Sequence, residues 1–169
     1  MCDGTNNAAN PTPGGTPTDA LAAAAAANAF TFDGTFDPTF DDFFITSIDG
    51  VTQTSTEFWG ILVDYQFTPV GGCEFELKTG QEVLWAFNAF TAVHFLQLVV
   101  DTSVGVGAPL SVTVLDGMTG TPVSKASVGG QVTDANGQAT LTFSSIGSYT
   151  LQATRSDSIR SQIVTVNVN

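Results

Sequence analysis

From Pro109 onward, one repeated pattern restricts the fold of this sequence more than any other feature. Apolar and polar residues alternate in five segments, PLSVTVLD, PVSKASVG, QATLTF, YTLQAT and QIVTVNV. A period of two places alternate side chains on opposite faces of a strand, so Val112 and Val114 share one face. The turn-rich runs DGMTG, VGG, DANG and SIG separate the segments at the short spacing typical of an all-β sandwich. We therefore expect a β-sandwich without a helix in the second half.

The first half is less regular and contains the strongest helix pattern. In PTDALAAAAAAN, either Thr18 or Asp19 suits an N-cap, and alanine is the best helix former. We expect a helix from about Asp19 to Asn28, which is too short to cross a membrane, since that takes roughly 20 apolar residues. Strand-like stretches follow at 58–66, 74–77, 82–87 and 93–100. This half therefore predicts a mixed α+β domain.

Charged and aromatic residues are distributed unevenly along the chain. Residues 1–101 carry thirteen of the sixteen acidic residues and only one of the four basic residues, Lys78. We therefore expect two domains, 1–101 and 102–169, joined by the linker DTSVGVGAP at 101–109. The net charge of −12 opposes binding to nucleic acid, whose backbone attracts lysine and arginine, and to anionic membrane surfaces.

Two cysteines, Cys2 and Cys73, bear on where the protein acts. They are too few and too far apart for a zinc site, which needs closely spaced ligands. We expect a disulfide between them, worth about 4 kcal/mol in the chain-entropy model, and two unrelated thiols are the alternative. A disulfide persists in oxidising compartments. Because no basic segment precedes the apolar run, the sequence contains no signal peptide, and we expect an extracellular, secreted protein whose signal lies outside this sequence.

Few residues are candidates for catalysis or for metal binding. His94 is the only histidine and lies in the apolar segment AVHFLQLVV, so we expect a packed or edge histidine rather than part of a catalytic triad. Carboxylates at 33, 37, 41 and 42 offer the oxygen ligands that Ca²⁺ prefers, but their spacing differs from that of the known calcium loop. We expect no metal site there, with phenylalanine rings packed inward and carboxylates in water; a calcium site is the alternative.

The remaining aromatic and basic residues divide between core and surface. Large aromatic rings of a small domain mostly pack in its core. We therefore expect Trp59, Trp85 and Phe87 to be core residues; a platform for stacking against a sugar is the alternative. The loop RSDSIR at 155–160 either pairs its own charges or meets the acidic first domain of the same or a neighbouring molecule. The candidate interaction surface consists of Tyr65, Phe67, Arg155 and Arg160.

Two resemblances add to this interpretation. The segment TDANGQATLTFSSIGSYTLQAT resembles the hairpin and following strand of bacterial-type immunoglobulin-like domains, across residues 105–169. The DAL start of the helix, Trp59 in its strand and a closing pattern resemble the transcobalamin-like C-terminal domain, a small grasp-like sheet with one helix. The closing pattern matches at Leu77, Gly80, Val83, Trp85 and Phe87. Together the two halves resemble secreted fungal proteins of unknown function that pair these domains.

The sequence departs from the transcobalamin-like pattern in two places. The family's VNG turn is replaced by VDYQFTPVGG, which predicts a longer loop after the Trp59 strand, and its GD has become Gly80-Gln81. In that family this domain covers one face of the corrin ring of cobalamin, and a larger helical domain, without counterpart in this sequence, covers the other. The resemblance implies a mainly β fold, in which a grasp-like α+β domain with one Ala-rich helix precedes an immunoglobulin-like β-sandwich.

Two functions follow as expectations. The first is a secreted, non-enzymatic surface or extracellular-matrix protein acting in adhesion or self-assembly. Its partners would be further copies, in a homo-oligomer or filament, or a cell-surface or glycan partner. The alternative is a soluble protein that binds a cobalamin-like tetrapyrrole, a glycan or calcium through its acidic, aromatic N-terminal domain. We expect no resident cofactor, no nucleic-acid partner and no membrane insertion.

Overall fold

Small β-sheets dominate both units into which the chain divides. The computed structural model describes residues 2–169, and the division between its two units lies between Thr91 and Ala92. The predicted mainly β class is confirmed, with a single α-helix in this part of the chain. Nowhere in residues 2–169 is a helix both long enough and apolar enough to span a membrane. The change in composition at 101 falls inside the second unit.

The helix of the first unit, α1 (Pro17–Asn28), begins two residues before the expected start. Thr16 is its N-cap. The Thr16 hydroxyl accepts a hydrogen bond from the Asp19 N–H at 3.1 Å, and the Asp19 carboxylate accepts one from the Thr16 N–H at 3.2 Å. This capping box satisfies two backbone donors, and Pro17 at the first helical position has no N–H to satisfy. The predicted N-cap at Thr18 or Asp19 is therefore wrong.

Two antiparallel sheets of three strands accompany the helix. The first has the order β1-β2-β3, and its strands are β1 (Phe32–Asp37), β2 (Asp42–Ile48) and β3 (Val51–Thr52). The second has the order β5-β4-β6, and its strands are β4 (Trp59–Val63), β5 (Gln66–Phe67) and β6 (Val83–Phe87). A 3-10 turn, Ala89–Thr91, follows β6. Buried Leu21, Ile45 and Ile48 form one core cluster of this unit. Residues 74–77, expected as a strand, form irregular structure instead.

Strands β4 and β5 form a hairpin whose turn contains only two residues. Val63 pairs with Gln66, and the intervening Asp64 and Tyr65 have φ of 49° and 61°. Positive φ at both central residues is the requirement of a type I′ turn, for which Asn-Gly is the usual choice. The predicted longer loop after β4 is therefore wrong, because Asp64-Tyr65 occupies the position of Asn-Gly in the family's VNG turn.

The Asp64 carboxylate also connects this turn to the start of β6. One carboxylate oxygen accepts a hydrogen bond from the Glu82 N–H, and the other accepts one from the side-chain amide of Gln81, both at 2.9 Å. The Gln81 side-chain oxygen in turn accepts from the Lys78 N–H at 2.9 Å. Asp64 and Gln81 are the two positions at which this chain departs from the family pattern, which has asparagine and aspartate there. The hydrogen bond between their side chains therefore joins the two departures.

The second unit is a sandwich of two three-stranded sheets. One has the order β12-β9-β7, with strands β7 (Leu96–Val100), β9 (Pro109–Asp116) and β12 (Gln138–Thr142). The other has the order β13-β14-β8, with strands β8 (Ser103–Val104), β13 (Gly147–Leu151) and β14 (Val164–Val168). A small hairpin of β10 (Ser127–Val128) and β11 (Gln131–Val132) completes it. Both larger sheets contribute to one core, in which Val112, Val114 and Val166 are fully buried.

The segment 101–109 belongs to this sandwich. Ser103 pairs in parallel with Asn167 of β14, the Val106 N–H donates to the Asn169 carbonyl at 2.9 Å, and the Gly107 N–H donates to the Phe143 carbonyl at 2.9 Å. A linker leaves its backbone groups to water, whereas these groups are paired within one unit. The predicted linker at 101–109 is therefore wrong.

A side chain covers the outer edge of β7. The Leu98 N–H donates to the side-chain oxygen of Gln162 at 3.3 Å, and the Gln162 side-chain nitrogen donates to the Leu98 carbonyl at 3.0 Å. Just before this point, the Leu96 N–H donates to the Ile159 carbonyl at 3.0 Å. The chain at 159–162 therefore satisfies groups of β7 that would otherwise pair with another strand.

Candidate functional site

A disulfide joins the N-terminal arm to the loop between β5 and β6. Cys2 and Cys73 are bonded across a sequence separation of 71, which confirms the predicted disulfide. The Gly4 N–H donates to the Cys73 carbonyl at 2.9 Å, so the arm follows this loop. Within the arm, hydrogen bonds from the Thr5 hydroxyl and the Thr5 N–H hold the pKa of Asp3 below its usual range. The arm is therefore an ordered part of the first unit.

The glycines before Cys73 let this loop approach its neighbours closely. A Cβ on Gly72 would lie 2.5 Å from the Thr18 hydroxyl oxygen, and one on Gly71 would coincide with a carboxylate oxygen of Asp42. The other Asp42 oxygen accepts the Cys73 N–H at 2.9 Å. Only glycine allows such a close approach of backbone to side chain. The loop is therefore fixed against both the start of α1 and strand β2.

The fixed loop forms one wall of a cleft of about 680 Å³ in the first unit. Strands of both sheets form the rest of its lining, together with the β1–β2 turn and the 3-10 turn. Small-molecule sites commonly have roughly 300–1,000 Å³ and are lined mainly by apolar and aromatic side chains. The aromatic residues of this lining are Phe40, Phe43, Phe44, Trp59, Phe67, Trp85 and Phe90. We call this site the aromatic cleft.

The two tryptophans belong both to the core and to the wall of the aromatic cleft. Both pack against the buried cluster of the first unit, as expected, and both also line the cleft. The Trp59 indole N–H donates to the Val51 carbonyl at 3.3 Å, and the Trp85 indole N–H donates to the Pro17 carbonyl at 3.3 Å. Trp59 also meets Phe87 edge to face, with ring centroids 5.4 Å apart. These contacts fix the indole rings without a ligand.

Another part of the wall of the aromatic cleft is a pair of stacked phenylalanine rings next to Gly60. Phe67 and Phe90 stack with centroids 5.2 Å apart and planes inclined by 12°. A Cβ on Gly60 of β4 would lie 2.6 Å from the Ala89 Cβ and 3.2 Å from the Phe67 ring. The missing side chain of Gly60 therefore leaves room for the stacked pair.

Several phenylalanine rings face solvent, although the alternation of Phe and Asp predicted that they pack inward. Phe40 is 67% exposed, Phe44 51% and Phe36 47%. Phe40 and Phe44 line the aromatic cleft, whereas Phe36 does not. The prediction fails for these rings because no other element of the first unit covers them. Phe43, the partner of Phe36 across β1 and β2, does pack against the core.

Three carboxylates, those of Asp37, Asp42 and Glu74, also line the aromatic cleft. Within residues 2–169, none of them lies within 4.0 Å of a lysine, arginine or histidine nitrogen. Asp37 and Asp42 are moreover direct cross-strand partners at the end of the β1–β2 hairpin. Like charges in this position destabilise a sheet. The cleft therefore combines apolar rings with negative charge that has no cationic partner in the described chain.

The candidate interaction residues lie in different units. Tyr65 is half-buried in the β4–β5 turn, where burial and the Glu82 carboxylate raise the pKa of its hydroxyl. Phe67 is 37% exposed and lines the aromatic cleft. In the second unit, Arg155 pairs with Asp157 at 3.0 Å, so the loop pairs its own charges, and Arg160 is exposed. The structure thus brings only Phe67 into the cleft.

His94 has a partner that the sequence did not indicate. Its Nδ1 lies 2.8 Å from a carboxylate oxygen of buried Asp116, and the second oxygen accepts the Met118 N–H at 2.9 Å. The register of β7 and β9, which places Leu96 opposite Asp116, brings the pair together. The histidine is therefore held at the end of a strand pair, in agreement with the expectation of a packed or edge position.

No group of three or more His, Cys, Asp or Glu residues within 2–169 is arranged to hold a metal ion. The carboxylates of the β1–β2 region instead make local backbone contacts. Asp33 accepts from the Gly34 N–H, Asp37 from the Thr39 N–H and Asp42 from the Phe43 N–H, at 2.7–2.8 Å. Such contacts are typical of carboxylates that stabilise turns.

Residues 14–89 match the model of a protein family described as a domain of unknown function (DUF4430), which is a transcobalamin-like domain. The matched region begins before α1 and ends after β6. It contains every residue of the aromatic cleft except Phe90. The predicted resemblance of the first half to the transcobalamin-like domain is thereby confirmed. No curated protein and no solved structure matches the chain significantly.

Proposed function

We propose that this protein is a secreted, non-enzymatic binding protein whose first unit holds a small ligand in the aromatic cleft. The cleft itself carries the proposal. Its volume of about 680 Å³ suits a small molecule, and Phe40 and Phe90 at its wall are each 67% exposed. Burying apolar surface yields roughly 25 cal/mol per Å², so a ligand that covers these rings is favoured.

The wall of the aromatic cleft is preformed, that is, its contacts hold it in place without a ligand. The disulfide fixes the loop at 71–73, the close contacts of Gly71 and Gly72 leave that loop little freedom, and indole hydrogen bonds hold both tryptophans. A preformed site avoids the entropic cost of ordering its side chains on binding. The disulfide also supports an oxidising, extracellular location.

Adhesion or self-assembly is the second candidate function, and the exposed rings favour it as well. Contiguous exposed apolar surface on a soluble protein commonly marks an interaction site. In this alternative, the rings of Phe40, Phe44 and Phe90 are covered by a second copy or by a cell-surface partner. The second unit would then act as a spacer, the role that its resemblance to immunoglobulin-like domains implies.

A neutral fluorescent probe tests the first candidate directly. We expect N-phenyl-1-naphthylamine to bind the full chain and to change the fluorescence of Trp59 and Trp85, which line the cleft. Phe40→Ser should weaken binding about tenfold, whereas Phe36→Ser, which removes an exposed ring outside the cleft, should not. Equal binding by both variants, or no binding by the wild type, would refute a ligand site in the cleft.

Sedimentation velocity separates the second candidate from the first. Self-association through the rings predicts oligomers that grow with concentration, and Phe40→Ser should abolish them while Phe36→Ser leaves them intact. If the protein stays monomeric at all concentrations tested, self-assembly is excluded as its function.

A further inference from the structure

We infer that the aromatic cleft selects a small organic cation, namely a quaternary or protonated amine with an apolar body. This inference rests on the proposed function and adds to it the chemistry of the ligand. Three features support it: aromatic rings, carboxylates without a cationic partner in the described chain, and an excess of negative charge around the site.

The rings supply the first attraction. Aromatic faces attract a cation within about 6 Å of the ring centroid, and the attraction grows when the cation loses water. Seven aromatic residues line the cleft, and Phe40, Phe44 and Phe90 are more than half exposed. A compact, strongly hydrated metal ion would not cover these rings, whereas alkyl or aryl groups around a charged nitrogen would.

The carboxylates supply the second attraction. Asp37 and Asp42 face each other across β1 and β2, and Glu74 lies on the same lining. Two like charges in direct register cost stability, and no lysine, arginine or histidine nitrogen of residues 2–169 lies within 4.0 Å of either carboxylate. A cation in the cleft would relieve the repulsion, whereas an anionic ligand would increase it.

The charge of the whole first unit acts in the same direction. Residues 2–91 contain twelve acidic residues and one basic residue, Lys78, which does not line the cleft. A cleft with one sign of charge and low-dielectric walls concentrates ions of the opposite sign. The volume of about 680 Å³ matches one small molecule, and we therefore assign the site to a free organic cation rather than to a basic protein segment.

Isosteric ligands that differ only in charge give the sharpest test. Binding of (4-hydroxybenzyl)trimethylammonium to the full chain would be compared by calorimetry with that of 4-neopentylphenol, in which carbon replaces the charged nitrogen. The anion 4-hydroxybenzylsulfonate is the third ligand. We expect the cation to bind at least tenfold more tightly than its neutral isostere, and the anion to bind more weakly than both.

Charge-neutralising variants locate the selectivity. Asp37→Asn combined with Glu74→Gln should reduce the preference for the cation over the neutral isostere at least about threefold, with Asp42 and the rings accounting for the remainder, and should leave the affinity of the neutral isostere unchanged. The matched control is Asp33→Asn combined with Glu57→Gln, which removes the same charge from the same unit outside the cleft. Preference for the cation should persist in that control. Asp37→Asn alone should also raise the stability of the ligand-free protein, because it removes the repulsion with Asp42.

Each outcome separates this inference from the proposed function. Equal binding of the cation and the neutral isostere overturns the cation site but leaves a binding cleft. Loss of preference in the Asp33 and Glu57 control to the same degree shows a general charge effect and also overturns the site. Absence of binding by all three ligands and by the neutral naphthylamine probe overturns both the inference and the proposed function.

Discussion

The hydrogen bond between Asp64 and Gln81 makes a sharp prediction about the first unit. The family pattern has asparagine in the turn and aspartate before β6, whereas this chain has aspartate and glutamine at the corresponding positions. In both arrangements one side chain can donate an amide N–H to the carboxylate of the other. We therefore expect Asp64→Asn and Gln81→Asp to be damaging separately and tolerated together.

The size of the effect follows from the contacts. Gln81→Asp removes a hydrogen bond worth about 1 kcal/mol and places two carboxylates near 4 Å apart, which costs about 1 kcal/mol in water. Asp64→Asn turns an amide toward the Gln81 amide and costs about 1 kcal/mol. In the double variant, the new asparagine donates to the new carboxylate and still accepts the Glu82 N–H. The double variant should therefore lose about 0.5 kcal/mol of unfolding free energy. If the two single losses simply added, it would lose about 3 kcal/mol.

Urea unfolding followed by tryptophan fluorescence measures this cycle. Both tryptophans, Trp59 and Trp85, lie in the first unit, so the signal reports on that unit alone. The slope of free energy against urea should be the same for all four proteins, since each buries similar surface. In 1 M salt, with a screening length of about 3 Å, the loss in Gln81→Asp should fall toward the hydrogen-bond contribution alone.

Additivity would refute the reasoning. If the double variant loses the sum of the two single losses to within about 0.5 kcal/mol, the side chains do not act as a pair.

Three further predictions concern the same unit. Relative to the oxidised wild type, Cys2→Ser should lower the free energy of unfolding of this unit by about 4 kcal/mol, the reduced wild type should match the variant, and an unchanged urea midpoint would contradict the chain-entropy argument. Burial and Glu82 raise the pKa of Tyr65, so the folded state holds this proton more tightly than the unfolded chain. The contribution of Tyr65 to stability should then be constant below the ordinary tyrosine pKa of about 10 and should be lost as the pH rises through it; Tyr65→Phe should remove part of the fall in stability at alkaline pH, and identical profiles would exclude the effect. Thr16→Ala should cost about 1 kcal/mol through loss of the capping box, with Thr35→Ala on exposed β1 as a control, and equal losses would argue against the cap.

The second unit was the more predictable one because its strands carry their own pattern. The segment PLSVTVLD matches β9 residue for residue, and Val112 and Val114 are buried as a period of two requires. The next segment, PVSKASVG, forms a strand only at Ser127–Val128, since Lys125 has a φ of 61° that a strand does not accommodate. Local alternation thus predicts a strand until one residue takes the left-handed conformation.

The aromatic cleft was not predictable from the same alternation. A period of two places Phe36 and Phe44 on definite sides of their strands, but it does not say which side another element covers. That depends on how sheets and loops pack, and on the close approach of Gly71 and Gly72, none of which is a local property. Likewise, only the register of β7 and β9 brings Asp116 to His94. The start of α1, by contrast, is encoded locally in the capping-box spacing of Thr16 and Asp19, a signal that the prediction of an N-cap at Thr18 or Asp19 missed.

The amide of Gln162 limits how copies of this protein can join. A sheet edge recruits a foreign strand through free donors and acceptors, and at Leu98 both are already engaged by a side chain of the same molecule. With this part of β7 engaged, the β12-β9-β7 sheet leaves β12 as its free edge. Two copies can join edge to edge through β12, but continued growth of the sheet needs a second free edge on each molecule, so Gln162 opposes the formation of fibres through this sheet.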